Sequence, residues 1–325
     1  MEIPFVKCHG SGNDFYLIDE YGKMSGLDEE SRRRLAVALC DREGQEGADG
    51  ILFFQKSGVA DARMRMFNPD GSEAEMCGNG VRCIGRYAQE KTGKNTVYIE
   101  TLKGIQKIVR EKDMAEGVWT VSVQIKPVSV DLKDIPVAVE GERLIEQPLK
   151  ALPGYLWSAV SMGNPHLVAI VENLDGQALQ EMGEKANSTK KLFPEGINVS
   201  FCKPLGREKL AVSTYERGLG ITKSCGTGMS AATLIAVYTG HSPEGEWIDI
   251  LNEGGRTAVA VFRRQNGFDL FLKGNATYLH GGSILLDNSA FSEWKIITRR
   301  TFAAGRKAYE QVILSAKKEL DDAVS

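Results

Sequence analysis

The sequence lacks long apolar runs and a clustered positive charge. Its longest apolar run, residues 231–238, is interrupted by Thr233 and is too short to span a bilayer. The N-terminal stretch MEIPFVKCHGSGNDF has neither the apolar segment nor the cleavage site of a signal peptide. Lysine and arginine are scattered and the net charge is −3, so the basic face that nucleic-acid binding needs is missing. We therefore expect a cytoplasmic protein without a nucleic-acid or membrane partner.

Metal-binding spacings of cysteine and histidine are also missing. There is no CxxC or HxxxH pattern, and the four histidines are far apart in the sequence, so we expect no metal site. Six cysteines would suggest disulfides in a short secreted chain, but that reading loses force in a cytosolic chain of 325 residues. Taken singly, each cysteine is expected to be a small buried side chain; the six are Cys8, Cys40, Cys77, Cys83, Cys202 and Cys225.

The glycine-rich segments do not have the spacing of a dinucleotide-binding loop. GNGVRCIG and GLGITKSCGTG both differ from G-x-G-x-x-G, and neither opens a βαβ unit with an acidic residue about twenty positions later. The sequence alone does not exclude pyridoxal phosphate, which needs only a lysine. The two-thiol chemistry inferred below makes such an electron sink unnecessary, so no cofactor is expected.

What the sequence does contain is one cysteine motif twice. Residues 76–80 read MCGNG and residues 224–228 read SCGTG, so a Cys-Gly-x-Gly core recurs 148 residues later. A soluble protein has no general need for a cysteine in front of two glycines. The repetition therefore singles out Cys77 and Cys225 from the other four cysteines.

Two more anchors repeat in the same order. Asn13, in a Gly-Asn pair, lies 64 residues before Cys77, and Asn164, in a second Gly-Asn pair, lies 61 residues before Cys225. Nine residues before each cysteine stand Asn68 and Glu216, respectively. Three anchors at nearly equal spacing predict that the chain consists of two copies of one unit.

Local patterns predict a strand, a turn and then a helix around each cysteine. The helices are predicted at residues 78–91 and 226–239, each followed closely by a glycine that can end it. Two further amphipathic helices are predicted at 28–40 and 177–186, and most other segments have strand patterns. Each half is therefore predicted to be an α+β domain with a mixed or antiparallel sheet.

We expect two domains and a tail. The N-terminal half is predicted at residues 1–126 and the C-terminal half at 127–274, followed by a return strand at 275–287. Residues 288–325 form a charged tail with an amphipathic stretch at 302–320. This stretch is predicted to be an appended surface helix.

A cysteine at a helix N-terminus is chemically distinctive. The unpaired amides and partial positive charge there favour a thiolate and bind anions such as a carboxylate, so we expect lowered pKa values for Cys77 and Cys225. If the two sites face each other across a domain cleft, one thiolate can remove a proton from a carbon while the opposite thiol returns one from the other face. This inverts a stereocentre, and the helix amides stabilise the charge that builds up on the carboxylate.

The motifs HGSGNDF, FNPDGSEAEMCGNGVRC, SMGNPH, FPEGINVSF and YERGLGITKSCGTG together resemble the diaminopimelate epimerase family. The similarity runs from the N-terminus to about Leu285. It implies two similar halves, each a small barrel-like sheet around a central helix. It also implies cofactor-independent interconversion of LL- and meso-diaminopimelate, a small amino-acid substrate, in the synthesis of lysine and peptidoglycan precursors.

The resemblance further implies roles for individual residues. Cys77 and Cys225 correspond to the two acid–base cysteines, and His166 and Glu216 to polar neighbours that help move protons. Side chains that hold the distal amino-acid end of the substrate correspond to Asn13, Asn68, Asn164, Asn198, Glu216 and Arg217. Amides around the reacting carboxylate correspond to Gly78, Asn79, Gly226 and Thr227.

The sequence departs from the family pattern in three places. Gly50, in the loop Gly44–Ile51, stands where some members have a substrate-binding glutamine. Ser224 and the pair Met229-Ser230 replace the residues expected around the second cysteine, a change that should leave the helix amides intact. The tail from Asn288 has no counterpart in the common shorter form of the family.

Three other functions compete with an epimerase of a bis-amino acid. A racemase of another amino acid, such as histidine, could use the same scaffold, and Gly50 leaves room for a different distal group. A non-catalytic amino-acid-binding relative would not need two thiols, and a thiol-redox protein would be expected to have a CxxC motif. The sequence does not determine the oligomeric state, and a homodimer is among the assemblies left open.

Overall fold

The computed structural model describes residues 1–22, 26–43, 46–286 and 293–324, and only the backbone of residues 323 and 324. Residues 44 and 45 of the predicted loop, residue 287 of the predicted return strand, and residues 288–292 and 325 of the predicted tail lie outside this described part. The chain divides into two compact units. The first unit comprises Met1–Val123 with Gly274–Gln311, and the second comprises Gln124–Lys273 with Val312–Ser325.

Five α-helices and nineteen strands occur in the described part of the chain. The strands are β1 (Glu2–Gly10), β2 (Asn13–Asp19), β3 (Gly50–Gln55), β4 (Ala62–Phe67), β5 (Glu73–Ala74), β6 (Thr96–Thr101), β7 (Gly104–Arg110), β8 (Thr120–Ile125), β9 (Gln147–Leu149), β10 (Leu152–Ser161), β11 (Pro165–Ile170), β12 (Asn198–Gly206), β13 (Lys209–Glu216), β14 (Gly220–Thr222), β15 (Trp247–Asn252), β16 (Gly255–Arg264), β17 (Gly267–Asn275), β18 (Thr277–Leu286) and β19 (Trp294–Thr301). The helices are α1 (Glu29–Cys40), α2 (Gly78–Thr92), α3 (Gly176–Ser188), α4 (Gly226–Tyr238) and α5 (Ala303–Val324).

The strands of the first unit form a mixed sheet. β2 pairs antiparallel with β1 and parallel with β3. β4 pairs antiparallel with β3 and β5 and parallel with β6, and β7 pairs antiparallel with β6 and β8. Helix α1 connects β2 to β3, and α2 connects β5 to β6. Late in the chain, β18 pairs antiparallel with β1.

The second unit repeats the same order of pairings. β11 pairs antiparallel with β10 and parallel with β12. β13 pairs antiparallel with β12 and β14 and parallel with β15, and β16 pairs antiparallel with β15 and β17. Helices α3 and α4 lie in the same two connections as α1 and α2. The predicted duplication is therefore confirmed strand by strand, as is the mixed sheet.

The two helices that follow the repeated motifs have the predicted ends within one residue. After α2, Gly93 adopts a left-handed φ of 69° and its N–H donates to the Gln89 carbonyl at 2.8 Å, which ends the helix. Helix α4 is buried at every residue from Gly228 to Val237. It packs on β11, β12, β13 and β16 of its own unit, as expected for a helix whose residues are small or apolar nearly all round.

Helices α1 and α3 are amphipathic and begin at conventional caps. Leu35 of α1 and Leu179 of α3 are fully buried in the hydrophobic cores of their respective units. The Asp28 carboxylate accepts a backbone hydrogen bond in the first turn of α1 at 2.8 Å, and Asp175 accepts two in the first turn of α3. Both helices occur where the sequence predicts them, although α3 is longer than expected.

The tail contains a strand as well as the predicted helix. β19 pairs antiparallel with β18, and the sequence analysis does not predict it. Helix α5 begins directly after Phe302 and buries three side chains on one face, Tyr309, Val312 and Ala316. None of the helices in the described ranges is both long and apolar enough to cross a membrane.

We expect Gly183→Ala, in the middle of α3, to destabilise the protein although alanine favours helices. A Cβ at Gly183 would lie 2.2 Å from Cγ of Tyr215 on β13, so the helix or the ring must move. The free energy of unfolding should fall by about 1–3 kcal/mol, as in other overpacked cores. Gly176→Ala is the matched control, because a Cβ at this first residue of α3 meets nothing within 4 Å. Equal urea midpoints for the two variants would contradict this packing.

Candidate active site

Cys77 is the N-cap residue of α2. Its backbone is extended, with φ −135° and ψ 118°, and its carbonyl accepts the first helical hydrogen bond from the Val81 N–H at 2.8 Å. The thiol makes no capping hydrogen bond to the helix, and the nearby backbone amides of Asn79 and Gly80 favour its ionised form. The residue is partly exposed.

The Gly12-Asn13 turn brings an asparagine to this thiol. Asn13 is the first residue of β2, and its Oδ1 accepts hydrogen bonds from Cys77 Sγ at 3.7 Å and from Asn79 Nδ2 at 3.4 Å. The Asn13 amide is held in place because its Nδ2 donates to Asp49 Oδ2 at 2.7 Å. Three predicted residues of the first half, Asn13, Cys77 and Asn79, are therefore in contact.

Two other residues singled out in the first half do not join this set. Asn68 lies in the Asn-Pro-Asp-Gly turn, where its Nδ2 donates to Ser72 Oγ at 3.0 Å. Within the described ranges no hydrogen bond joins Asn68 to Cys77. Gly50 begins β3, and a Cβ there would lie 2.8 Å from the Phe67 carbonyl oxygen. A glutamine could not replace Gly50 without a backbone shift, so this chain makes no such side-chain contact from position 50.

Cys225 is the N-cap residue of α4 in the second unit. Its backbone is also extended, with φ −112° and ψ 109°. Its Sγ accepts a hydrogen bond from the Gly228 N–H at 3.3 Å and lies 3.6 Å from Thr227 Oγ1. The residue is 6% exposed, so this thiol is more deeply buried than Cys77.

A chain of polar contacts leads away from the second cysteine. Asn164 Nδ2 donates to Thr227 Oγ1 at 3.4 Å. His166 Nε2 lies 3.1 Å from Asn164 Oδ1 and 3.4 Å from Asn198 Nδ2. Asn198 Oδ1 accepts a hydrogen bond from the Arg217 backbone N–H at 3.0 Å. The structure thus connects five predicted residues of the second half.

Glu216 borders Cys225 directly. Its carboxylate is near enough to raise the pKa of the thiol, and its Oε1 accepts from Thr222 Oγ1 at 2.5 Å. The neighbouring Arg217 is exposed, and its guanidinium donates to the Glu195 carbonyl at 2.8 Å. Glu216 therefore places a negative charge at one cysteine, and Arg217 carries a positive charge near the protein surface.

His166 is buried and uncharged at neutral pH. Burial, together with the Arg217 charge, lowers its pKa to about 3. Its Nδ1 has no hydrogen-bond partner among the described residues, and both polar contacts of the ring are at Nε2, where Asn164 presents an acceptor oxygen and Asn198 a donor amide. No hydrogen bond joins the ring to Cys225 in the described part of the chain. His166 contacts the cysteine site through Asn164.

The first turn of each core helix is held in the same way in the two units. In the first, Asn13 bonds Asn79, the second residue after the cysteine. In the second, Asn164 bonds Thr227, which occupies the equivalent position. The repeated Gly-Asn pair therefore orients the start of each cysteine-capped helix against the neighbouring strand.

The two copies differ in charge at two equivalent positions. Five residues after the cysteine, Arg82 in the first copy and Ser230 in the second each donate to the carbonyl of the first motif glycine, at 3.4 Å and 2.9 Å. Nine residues before the cysteine, the first copy has the neutral Asn68 and the second has Glu216. The first copy therefore has a cation near its thiol, and the second has an anion.

Arg82 is a site residue that the sequence analysis does not predict. It is fully buried, and its guanidinium donates to the Asn275 carbonyl at 3.1 Å and to Ser11 Oγ at 2.9 Å. Among the described residues no aspartate or glutamate forms an ion pair with it. The available signal is an arginine placed between Val81 and Cys83, in the apolar part of the helix that follows the first cysteine motif.

Burial raises the pKa of both thiols, so the expected lowering is wrong. For Cys77, desolvation raises the pKa, and the backbone amides of Gly80 and Asn79 and the Arg82 charge oppose it. For Cys225, desolvation is reinforced by the Glu216 carboxylate. The helix N-termini act in the expected direction, but the loss of water around a thiolate outweighs them. Because the nearby charge is positive at Cys77 and negative at Cys225, Cys77 is the more easily ionised thiol.

The two glycines of each motif have different surroundings. A Cβ at Gly78 would meet nothing within 4 Å, and one at Gly226 would meet a single carbon at 3.7 Å. A Cβ at Gly80 would lie 2.9 Å from a leucine methyl of β3, and one at Gly228 would lie 2.5 Å from a threonine oxygen of β13. The first glycine leaves the helix start open to a ligand, whereas the second lets the helix pack closely on its sheet.

Neither cysteine belongs to a recognisable metal site. Within the described ranges, no three side chains of His, Cys, Asp and Glu converge so that they could hold a metal ion.

Comparison with known proteins gives one consistent family. The family model of diaminopimelate epimerase matches residues 5–129 and 158–279. The diaminopimelate epimerase of Clostridium acetobutylicum is 46% identical over 298 residues, which cover 91% of this chain and 90% of that protein. Those of Listeria monocytogenes and Enterococcus faecalis are 38% and 39% identical, covering 90% of this chain and 91% and 93% of theirs.

Solved structures with low sequence identity have the same fold. A phenazine biosynthesis protein of the PhzF family from Bacillus anthracis has a TM-score of 0.64 at 18% identity, covering 88% of this chain and 99% of that one. A hydroxyproline epimerase from Agrobacterium vitis has a TM-score of 0.56 at 16% identity, covering 88% and 93%. At these identities the likeness concerns the fold alone, and it confirms the predicted arrangement of two similar α+β halves.

We expect the two glycines of the second motif to respond differently to alanine. Gly228→Ala should lower the free energy of unfolding by about 1–3 kcal/mol, because the new methyl group clashes with β13. Gly226→Ala should leave stability within about 0.5 kcal/mol, because its position is open. Urea denaturation of the two variants tests this. Equal destabilisation would mean that the first glycine is also a packing residue.

Proposed function

The chain belongs to the diaminopimelate epimerase family, so it is an amino-acid epimerase, and we propose that it interconverts LL- and meso-diaminopimelate without a cofactor. Such a reaction supplies precursors of lysine and peptidoglycan. The observation that carries the proposal is the pair of cysteines at the starts of two equivalent helices, each with an asparagine-held first turn. Relatives named for this activity cover nine tenths of the chain, which does not favour a racemase of another amino acid.

We propose that the two cysteines act as a thiolate and a thiol on the same substrate carbon. The thiolate takes the α-proton, the electron pair of the C–H bond moves toward the carboxylate, and the other thiol donates its proton to the opposite face. The α-carbon is then inverted, and the two cysteines have exchanged protonation states. Amides at Gly78, Asn79, Gly226 and Thr227 would stabilise the carboxylate as its charge increases.

The charge difference between the copies supports an assignment of the protonation state of each cysteine before the reaction. The Arg82 cation favours the thiolate at Cys77, and the Glu216 carboxylate favours the thiol at Cys225. Because burial raises the pKa of both, the thiolate is a stronger base than an exposed one would be. We therefore assign Cys77 as the base and Cys225 as the acid for the first proton transfer, with the roles reversed on return.

The remaining predicted residues are proposed to hold or orient the substrate. The exposed Arg217 guanidinium suits a distal carboxylate, and Asn68 and Asn198 would border the same end of the molecule. Asn13 and Asn164 are bonded to the helix starts, so they would act close to the reacting carbon. His166 remains a proposed participant in proton transfer; its neutral ring and its contact with Asn164 support an indirect role through that amide.

The location and assembly of the enzyme also remain proposals. We propose a cytoplasmic enzyme whose partner is its small amino-acid substrate. A homodimer is one assembly to test, by light scattering of the purified full chain.

Substitution of either active cysteine should abolish epimerisation. Cys77→Ala and Cys225→Ala each remove one proton carrier, so turnover should fall by about 10²–10⁴-fold or more. Cys83→Ala and Cys202→Ala are matched controls at fully buried cysteines and should retain activity. The assay follows conversion of each diaminopimelate isomer into the other in heavy water, together with deuterium at the α-carbon of the product, with no cofactor added. Full turnover by Cys77→Ala or Cys225→Ala would rule out the two-base mechanism.

The rate of epimerisation should have a bell-shaped pH dependence, and Glu216→Gln should move the alkaline limb of this curve to lower pH. The limb reports loss of the proton from the acidic thiol, whose pKa the Glu216 carboxylate raises. Removing that charge lowers the pKa of Cys225, so the thiol ionises earlier. Because Glu216 is also a proposed substrate contact, the alkylation of Cys225 by iodoacetamide should be followed against pH in parallel. Glu184→Gln, on the exposed face of α3, is the control; an unmoved Cys225 profile in Glu216→Gln would contradict the assignment.

A further inference from the structure

Ser11, two residues before Asn13, has an uncommon backbone conformation. Its φ is 53°, in the left-handed region that residues other than glycine seldom occupy, and it is 1% exposed. It is followed by Gly12, which has a φ of 83°. This turn delivers Asn13, whose Oδ1 accepts the hydrogen bond from Cys77. A residue in such a conformation persists only where its surroundings hold it.

Three buried side chains from distant parts of the sequence hold Ser11. Asn275 Oδ1 accepts a hydrogen bond from the Ser11 N–H at 2.7 Å, and Arg82 Nη2 donates to Ser11 Oγ at 2.9 Å. The third is Tyr309 on helix α5, whose hydroxyl shares a hydrogen bond with Ser11. Asn275 and Arg82 are fully buried and Tyr309 is 1% exposed.

Tyr309 is a well-fixed member of this group. Its ring packs on the His9 ring with centroids 5.0 Å apart at 57°, and His9 Nδ1 accepts the Gly12 N–H at 3.2 Å. Burial raises the pKa of Tyr309 to about 12, so the hydroxyl keeps its proton at neutral pH. The tyrosine therefore supports the turn in two ways, through its hydroxyl at Ser11 and through its ring, which packs on the histidine that bonds Gly12.

We propose that Tyr309 is a positioning residue of the Cys77 site, which holds the Ser11-Gly12 turn so that Asn13 meets the thiol. It lies beyond residue 279, the last residue that the family model matches. The tail, for which the resemblance gives no role, thus completes the support of a catalytic group. This inference rests on the proposed role of Cys77 in proton transfer, but its main test does not require turnover.

The test compares Tyr309→Phe with Tyr16→Phe. Both remove one buried hydroxyl from the first unit, but the Tyr16 hydroxyl has no hydrogen-bond partner among the described residues. Loss of one hydrogen bond predicts that kcat of Tyr309→Phe falls by about two- to tenfold, while Tyr16→Phe stays near the parent value. The second readout is alkylation by iodoacetamide without substrate, followed at single cysteines by mass mapping. Tyr309→Phe should change the rate at Cys77 at least by about twofold and leave Cys225 unchanged.

A double-substitution cycle separates positioning from general stability. Ser11→Ala removes the oxygen through which the tyrosine acts, so Tyr309→Phe should have no further effect on Cys77 alkylation in that background. Ser11→Ala alone removes both this contact and the acceptor of Arg82, so it sets an upper limit on the effect: unchanged alkylation of Cys77 in Ser11→Ala would overturn the proposal even if Tyr309→Phe fails to fold. The proposal would be overturned if the effects of Ser11→Ala and Tyr309→Phe on the rate of Cys77 alkylation were additive. It would also be overturned if Tyr309→Phe matched Tyr16→Phe in kcat and in Cys77 alkylation at an unchanged melting temperature. If the parent chain does not epimerise diaminopimelate, the proposed function fails, whereas the alkylation result still decides the role of Tyr309.

Discussion

The amides in the first turn of a helix have no partner inside the helix, and what satisfies them determines what the helix end can do. In this chain the first-turn amides meet two kinds of cap, a carboxylate and a cysteine. Helices α1 and α3 begin at Asp28 and Asp175, whose carboxylates accept the free N–H groups. Helices α2 and α4 begin at Cys77 and Cys225, whose sulfur atoms are weak acceptors. A strong cap would close the helix start, whereas a cysteine leaves amides available for a carboxylate and places a proton carrier beside them.

A weakly capped helix needs support from elsewhere, and tertiary packing supplies it. Helix α4 is buried along almost its full length, so its position does not depend on its cap. Gly80 and Gly228 let both helices approach their strands at distances that a methyl group would not permit. The asparagines of the two Gly-Asn turns then hold the first turn of each helix through a hydrogen bond. Burial of the helix is what allows its N-terminus to serve a ligand, but the same burial raises the pKa of the thiols.

The sequence predicts the duplication and the position of the cysteines because both depend on local spacing. It predicts four of the helices for the same reason, and the amphipathic part of α5. Strand β19 has no such signal, since most of its side chains are exposed and several are lysine or arginine. The helix end alone predicts a lowered thiol pKa, and the opposing effect of burial requires the packed structure. Residues that meet from positions 11, 82, 275 and 309 leave no periodic pattern in the sequence.

Arg82 is the residue in which stability and function are most clearly opposed. A buried guanidinium without a carboxylate in ion-pair contact is unfavourable for folding, even when serine and carbonyl oxygens accept its hydrogen bonds. The second copy has Ser230 at the equivalent position, which bonds the same glycine carbonyl without a charge. The hydrogen bond therefore does not require an arginine. What the arginine adds is a positive charge near Cys77, and the thiolate of that cysteine is the anion that would balance it. The duplicated scaffold can then assign different protonation states to two equivalent cysteines by exchanging a serine for an arginine in one copy and an asparagine for a glutamate in the other.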